Sequence, residues 1–276
     1  MKKLVLLRHG ESVWNRENRF TGWMDVPLSS RGRRDAARAG RLLRDEGFAF
    51  SHAFTSYLRR AVSTLHIVLE EMEREWIPVE KSWRLNERHA GVLQGWNKGE
   101  TASEFGVDLV RQWCGTYRSA PPALAEGDVR CARTEEKYAG VPTSELPNTE
   151  SLADTVERVG ACWNMAIEPA LISARETLIV AHGNTLRALV KLIRRLSPSA
   201  ALELAVPRAV PMVFELDNAL NYRCDYRLNP PLEDPGFPLG VSRVELPGEA
   251  PGSSTPAELR RSCPGSSYSG AVRSRR

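Results

Sequence analysis

No stretch of this 276-residue chain comes near the ~18 consecutive apolar residues that a membrane-crossing helix needs. The one apolar run at the N-terminus, Leu4 to Leu7, ends at Arg8 and is too short for the core of a secretory signal. A cytoplasmic protein without membrane partners is therefore expected. Cysteine is sparse and unpatterned: five residues, an odd number, with no CxxC pair. That excludes a disulfide framework or a zinc ribbon as the organising device and leaves reduced thiols as the expectation. A strong excess of one charge is also lacking. The net charge is +4, and Val241 to Arg276 holds six Arg against three Glu. The body is thus close to neutral and carries no basic stripe for nucleic acid. Internal repeats are absent.

What is present is ordinary for a globular enzyme: 42% apolar and 26% charged residues, enough to build a sizeable core. The length suits one large α/β domain or two small ones. Leu4–Leu7 reads as a strand buried on both faces, so Arg8, His9 and Gly10 fall at its carboxyl end. Ser29 and Ser30 offer an N-cap to a helix over Arg31–Glu46, with Ala36, Ala39, Leu42 and Leu43 on one face and Gly47 as its stop. His52–Thr55 is a second strand. Arg59–Glu75 has helical period through Ala61, Leu65, Val68 and Leu69, and Pro78–Lys81 is a third strand. Thr177–Ala181 is a further strand ending at His182, with Asn184 as cap of the helix that follows. Met212–Leu216 reads as the last strand. Alternating strands and helices predict a three-layer α/β/α fold with a mostly parallel central sheet. Residues 1–230 are expected to form one catalytic domain. Pro121–Pro147 reads as an irregular insertion, and 231–276, rich in Pro, Gly, Ser and Arg, as a largely disordered tail.

In such sheets the active site lies beyond the carboxyl ends of the strands, where both His9 and His182 fall. Phosphoryl transfer to an imidazole needs a neutral ring held in one tautomer. It also needs positive charge around the phosphoryl oxygens and a proton donor for the leaving oxygen. Arg8, Arg60 and the helix N-terminus after His182 supply charge and amide donors. Glu87, in the loop Asn86-Glu87-Arg88-His89, is an acid/base candidate. Two His and one Glu also match a zinc ligand set, but fixed positive charge at Arg8 and Arg60 would oppose a cation there. No metal is expected. His52 and His66 read as structural or surface residues.

Singly, each of these signals is weak; their order along the chain is not. Leu4-Val5-Leu6-Leu7-Arg8-His9-Gly10-Glu11-Ser12-Val13-Trp14-Asn15 resembles the signature of the histidine phosphatase superfamily. Arg19-Phe20-Thr21-Gly22-Trp23 narrows the resemblance to the 2,3-bisphosphoglycerate-dependent phosphoglycerate mutases. So do Phe54-Thr55-Ser56 with Arg60-Ala61, Leu85 to His89, Gly95 with Asn97-Lys98, Glu150 to Thr155, and Ala181 to Arg187. The resemblance runs from residue 1 to about 217. It implies His9 as the phosphorylated nucleophile and Glu87 as proton donor and acceptor. His182, Arg8 and Arg60 would stabilise the phosphoryl group in transit. Gly10, Glu11, Ser12, Asn15, Thr21 and Gly22 would contribute to the substrate pocket, together with Arg88, His89, Lys98, Gly183 and Asn184. It further implies a small phosphorylated substrate, 2,3-bisphosphoglycerate as primer, interconversion of 2- and 3-phosphoglycerate in glycolysis and gluconeogenesis, and a homo-oligomer.

Three positions depart from the family pattern. Ala90 stands where the family has Tyr, Cys114-Gly115 follow Trp113 where it has Arg-Arg, and Arg208-Ala209 lie where it has Thr-Gly. The missing arginines remove charge that helps hold the distal part of phosphoglycerate. Arg111 or Arg118, each one helical turn from the altered pair, is a candidate replacement. The departures keep two alternatives in view: a phosphatase on the same scaffold, and a non-catalytic paralogue acting as a binding subunit. The complete set of Arg8, His9, Arg60, Glu87 and His182 opposes the second.

Overall fold

The computed structural model describes residues 1–229 and 242–245. Its strands are β1 (Lys2–Arg8), β2 (His52–Thr55), β3 (Val79–Lys81), β4 (Glu176–Ala181), β5 (Met212–Leu216), β6 (Tyr222–Asn229) and β7 (Ser242–Glu245). Its α-helices are α1 (Val13–Arg16), α2 (Ser30–Asp45), α3 (Arg59–Glu71), α4 (Lys98–Phe105), α5 (Val107–Gly115), α6 (Leu152–Cys162), α7 (Glu168–Ser173), α8 (Gly183–Arg194) and α9 (Pro198–Glu203). The strands form one mixed sheet in the order β3-β2-β4-β1-β5-β6-β7. β3, β2, β4 and β1 run parallel, and β5, β6 and β7 then alternate antiparallel.

The period of two along β1 divides the core. Leu4 and Leu6 point into one cluster with Ile179, Val159, Leu186 and Leu189, so α6 and α8 cover that face. Val5 and Leu7 point into the other, with Leu42, Leu43, Leu65 and Val68, which places α2 and α3 opposite. A strand buried on both faces has no polar side, and the Leu-Val-Leu-Leu run reflects that. Three layers follow from this arrangement.

Several elements differ in detail from the sequence reading. The third helix stops at Glu71 rather than Glu75, because Glu73 adopts φ +54° and the chain turns. β6 extends the sheet past β5; its alternation is interrupted by charged residues, and Asp225 is buried in an ion pair with Arg194. Asn184 is not the cap of α8. His182 holds that place in extended backbone and gives no side-chain bond to the helix. Gly115 ends α5 instead of sitting inside it, where glycine is well tolerated. Cys114, Cys131 and Cys162 are free thiols, whereas Cys224 is disulfide-bonded, against the expectation of thiols throughout. Pro121–Pro147 is built from turns and single 3-10 turns, as expected. Of the tail at 231–276 only β7 lies within the described residues, so the expectation of disorder falls outside them. No helix among the described residues is long and apolar enough to cross a membrane.

Candidate active site

The parallel pairing of β1 and β4 brings Arg8 opposite Ala181, and the His9 amide donates to the Ala181 carbonyl at 3.0 Å. The residues just past both strands are therefore held side by side, and the His9 and His182 rings lie 5.1 Å apart. His9 is 3% exposed. Its Nδ1 lies 2.6 Å from the Gly10 carbonyl oxygen. A carbonyl can only accept, so Nδ1 carries the proton and the lone pair is on Nε2. Burial, then the positive charges of Arg60 and Arg8, hold this imidazole well below its ordinary pKa, so it is neutral. The Gly10 amide donates to Thr64 Oγ1 on α3. A Cβ on Gly10 would lie 2.2 Å from the Gly32 carbonyl oxygen. The turn after β1 thus packs backbone against backbone on the first turn of α2, and only glycine fits.

Arg60 is 1% exposed and donates to the carbonyls of Met24 and Gly22 at 2.9 and 2.8 Å. Burial brings it down to about 10, with Glu87 opposing the fall, so it stays cationic at neutral pH. Gly22 has φ +53°, and a Cβ there would strike Gln94 Oε1 at 2.4 Å. The same Gln94 oxygen accepts from the Trp23 amide, and Trp23 Nε1 donates to the Glu87 carbonyl at 2.6 Å. The Arg-Phe-Thr-Gly-Trp segment is in this way tied to the Glu87 loop. Arg8 donates from Nη1 to Val206, while its buried Nε has no partner.

Glu87 performs the capping that Asn184 does not. Its Oε2 accepts from the Gly183 amide at 3.1 Å and its Oε1 from the Asn184 amide at 3.0 Å, with the Arg88 amide also on Oε1. A carboxylate here meets the orphan N–H groups and the positive end of α8. Burial pushes the Glu87 carboxyl up. The Arg88 amide, Arg8, Arg60 and the Asn184 amide together outweigh that push and hold it below the usual range. His182 Nε2 lies 2.8 Å from Ser56 Oγ, which already accepts from the Leu58 amide. Its Nδ1 is buried without a hydrogen-bond partner. Burial and Arg60 hold this ring neutral as well. Among the described residues no group of three or more His, Cys, Asp or Glu is placed to hold a metal ion.

A neutral imidazole with a free Nε2, the buried Arg60 and half-buried Arg8, a second imidazole and an ionised carboxylate on amide donors thus share one floor. A model of the histidine phosphatase superfamily (branch 1) matches residues 4–136 and 125–221. A 2,3-bisphosphoglycerate-dependent phosphoglycerate mutase of Bacteroides fragilis is 54% identical over 233 residues, covering 84% of this chain and 94% of the relative. The protein of that name from Parabacteroides distasonis is 52% identical over the same shares. The chain belongs to the 2,3-bisphosphoglycerate-dependent phosphoglycerate mutase family of the histidine phosphatase superfamily. The fold agrees with solved histidine phosphatase structures. The α-ribazole phosphatase of Shigella flexneri superposes with a TM-score of 0.62 at 21% identity, over 80% of this chain and 93% of that one. A mycobacterial glucosyl-3-phosphoglycerate phosphatase does so with a TM-score of 0.59 at 24% identity, over 81% and 96%.

The other sequence candidates divide into two groups. Lys98 opens α4 and is lowered by burial and by Arg8, with Cys114, Glu87 and Arg208 also within electrostatic reach; it faces the cationic cluster. The Thr21 hydroxyl is buried and unpartnered, and Arg88 donates to the Trp113 carbonyl at 3.1 Å, fastening the end of α5. Ser12 and Asn15, by contrast, bond each other's amides as a capping box on α1. Glu11 accepts from Ser29. The His89 ring, 0% exposed, accepts from the Gly91 amide and packs on Trp23, so it supports the loop from behind.

Arg158 was not singled out by the sequence reading, yet it organises the Glu87 loop. It forks onto Glu150 at 2.6 and 2.8 Å and donates to the carbonyls of Arg84, Asn86 and Glu87. In the sequence only Glu150, eight residues away at the head of the Glu150 to Thr155 run, hinted at it. Arg111 is exposed and paired with Asp108, and Arg118 is exposed. Neither enters the cluster. Arg208 lies within electrostatic reach of Arg8, His9 and Lys98.

Proposed function

We propose that the protein interconverts 2- and 3-phosphoglycerate in glycolysis and gluconeogenesis through a phosphohistidine at His9, primed by 2,3-bisphosphoglycerate. The observation that carries this reading is the His9 tautomer: Nδ1–H committed to the Gly10 carbonyl, Nε2 free, and the ring neutral among arginines. In priming, Nε2 attacks one phosphorus of the bisphosphate, the P–O bond to the sugar acid breaks, and the leaving oxygen takes a proton from Glu87. Arg8 and Arg60 lie where charge spreads over the phosphoryl oxygens. His182 Nε2 is held by its hydrogen bond with Ser56 Oγ at 2.8 Å, and its buried Nδ1 has no other partner. In the return transfer the hydroxyl of phosphoglycerate attacks the phosphohistidine, the P–N bond breaks, and Glu87 takes the hydroxyl proton.

Glu87 held ionised suits the second step directly. For the first, an arriving phosphate dianion sits among the same arginines that depress Glu87. It offsets their field and raises the carboxyl toward the protonated form. Phosphorus NMR of the purified chain with 3-phosphoglycerate and a trace of 2,3-bisphosphoglycerate tests the reading. The expected outcome is 2-phosphoglycerate, abolished in His9→Ala.

Hydrolysis is the second reading, and one observation favours it. Cys114 is exposed and in reach of Lys98, at the place where the family pattern has the first of two arginines. A phosphohistidine whose acceptor is held loosely is open to water. Inorganic phosphate without 2-phosphoglycerate in the same NMR experiment would move the assignment to a phosphatase.

A further inference from the structure

On the α2 side of β1, and sharing Arg8 with the catalytic cluster, lies a cavity of about 410 Å³ lined by Arg8, Glu11, Arg31, Asp35, Arg38, Pro207 and Arg208. Four arginines face two carboxylates there. Glu11 is engaged by the Ser29 hydroxyl, and Asp35 sits between Arg31 and Arg38 at 3.7 and 3.1 Å. Arg208 is different. Among the described residues its exposed guanidinium makes no hydrogen bond or ion pair, yet its backbone is fixed. The Ala209 amide donates to the Arg8 carbonyl at 3.0 Å, Arg208 bridges Arg8, and Ala209 takes φ +52° to complete the turn. The fold thus holds a cation next to Arg8 with no counter-charge of its own. Its field reaches Arg8, His9 and Lys98 and destabilises the charged form of each. Like charges brought together without a partner are relieved by an anion.

We propose that this cavity is an anion subsite, with Arg208 as its principal ligand, and that it takes the second acidic group, carboxylate or phosphate, of a phosphate ester whose first phosphoryl group lies between Arg8 and Arg60. Arg8 belongs to both sites, so the two anionic groups are held on either side of one guanidinium. Arg31 and Arg38 form the outer wall and attract the second group by charge while remaining paired with Asp35. The subsite puts cationic charge on the Pro207–Pro211 loop, in the same chain where the end of α5 carries Cys114 and Gly115. It deepens the phosphotransfer reading by naming what selects the substrate: two anionic groups, not one.

The test compares a ligand with two acidic groups, 3-phosphoglycerate, against one with a single group, phenyl phosphate. Calorimetry on the full chain and on Arg208→Gln gives both affinities, and Arg208→Lys serves as the conservative control. In the natural chain 3-phosphoglycerate is expected to bind at least ten-fold tighter than phenyl phosphate. Arg208→Gln should weaken 3-phosphoglycerate about ten-fold or more and phenyl phosphate less than two-fold, with Arg208→Lys intermediate. Equal weakening of both ligands would reduce Arg208 to a general field. No change for either, or no preference in the natural chain, would overturn the subsite. Phosphate incorporation at His9 is read separately. A chain that selects the diacid through Arg208 yet never phosphorylates His9 keeps the subsite and loses the transfer reading.

Discussion

Glu87 shows how much one side chain does here. Its two oxygens accept three backbone amides, two of them at the start of α8, and its charge faces Arg8 and Arg60. Glutamine has nearly the same shape but one acceptor oxygen and no proton to exchange. Glu87→Gln is therefore expected to lower kcat by about 10²- to 10⁴-fold with KM changed little, since the phosphoryl cradle remains. It should also reduce unfolding stability by about 1 kcal/mol through the weakened cap. Steady-state kinetics together with urea titration separate the two effects. A kcat within three-fold of the natural chain would remove Glu87 from the proton-transfer role.

At the scale of elements, the Glu87 loop is held in place by a strut from α6. Arg158 is 9% exposed, forks onto Glu150, and spans to backbone carbonyls more than seventy residues away in sequence. Removing one partner of such a pair leaves a buried charge unmatched and costs about 3–5 kcal/mol. Arg158→Met is expected to lose stability on that order and to lower kcat without altering the His9 environment. A proton NMR signal from the His9 Nδ1–H, unmoved in a variant with reduced kcat, would check it; full activity in Arg158→Met would refute it. This strut marks where the sequence was readable and where it was not. β1 and β4 were legible because strands buried on both faces carry continuous apolar runs, and their carboxyl ends placed His9 and His182 correctly. α2 was legible from its Ser29 cap and its apolar stripe. Arg158 was not, because beyond Glu150 its partners are carbonyl oxygens of the Glu87 loop, which leave no trace in side-chain pattern. β6 was obscured for a related reason: Asp225, buried opposite Arg194, reads as surface until the pair is seen. The capping of α8 by Glu87 was hidden because a residue 96 positions away supplies the oxygen.

For the whole molecule, the site's chemistry sets a limit on acid stability. Three histidines are folded in their neutral form: His9 and His182, both well below the ordinary value, and His89, brought down to about 3 by burial, then Arg158 and Arg130. In the unfolded chain each regains a pKa near 6.5. Below that value the unfolded state binds more protons than the native state, so stability is full above about pH 6.5 and falls as the pH drops. For His89 alone the loss at pH 5, relative to pH 8, is about 2 kcal/mol by this linkage. Unfolded-state carboxylates titrate nearer pH 4, so the interval from 6.5 to 5 belongs mainly to the histidines. Urea unfolding in phosphate-free buffer is expected to show a falling midpoint across that interval. Calorimetric unfolding at pH 5 in buffers of different ionisation heat should show an uptake of about three protons. A flat midpoint from pH 8 to pH 5 would mean that the rings take up protons in the folded chain as readily as in the unfolded one, which would refute the burial-driven lowering of His9, His182 and His89.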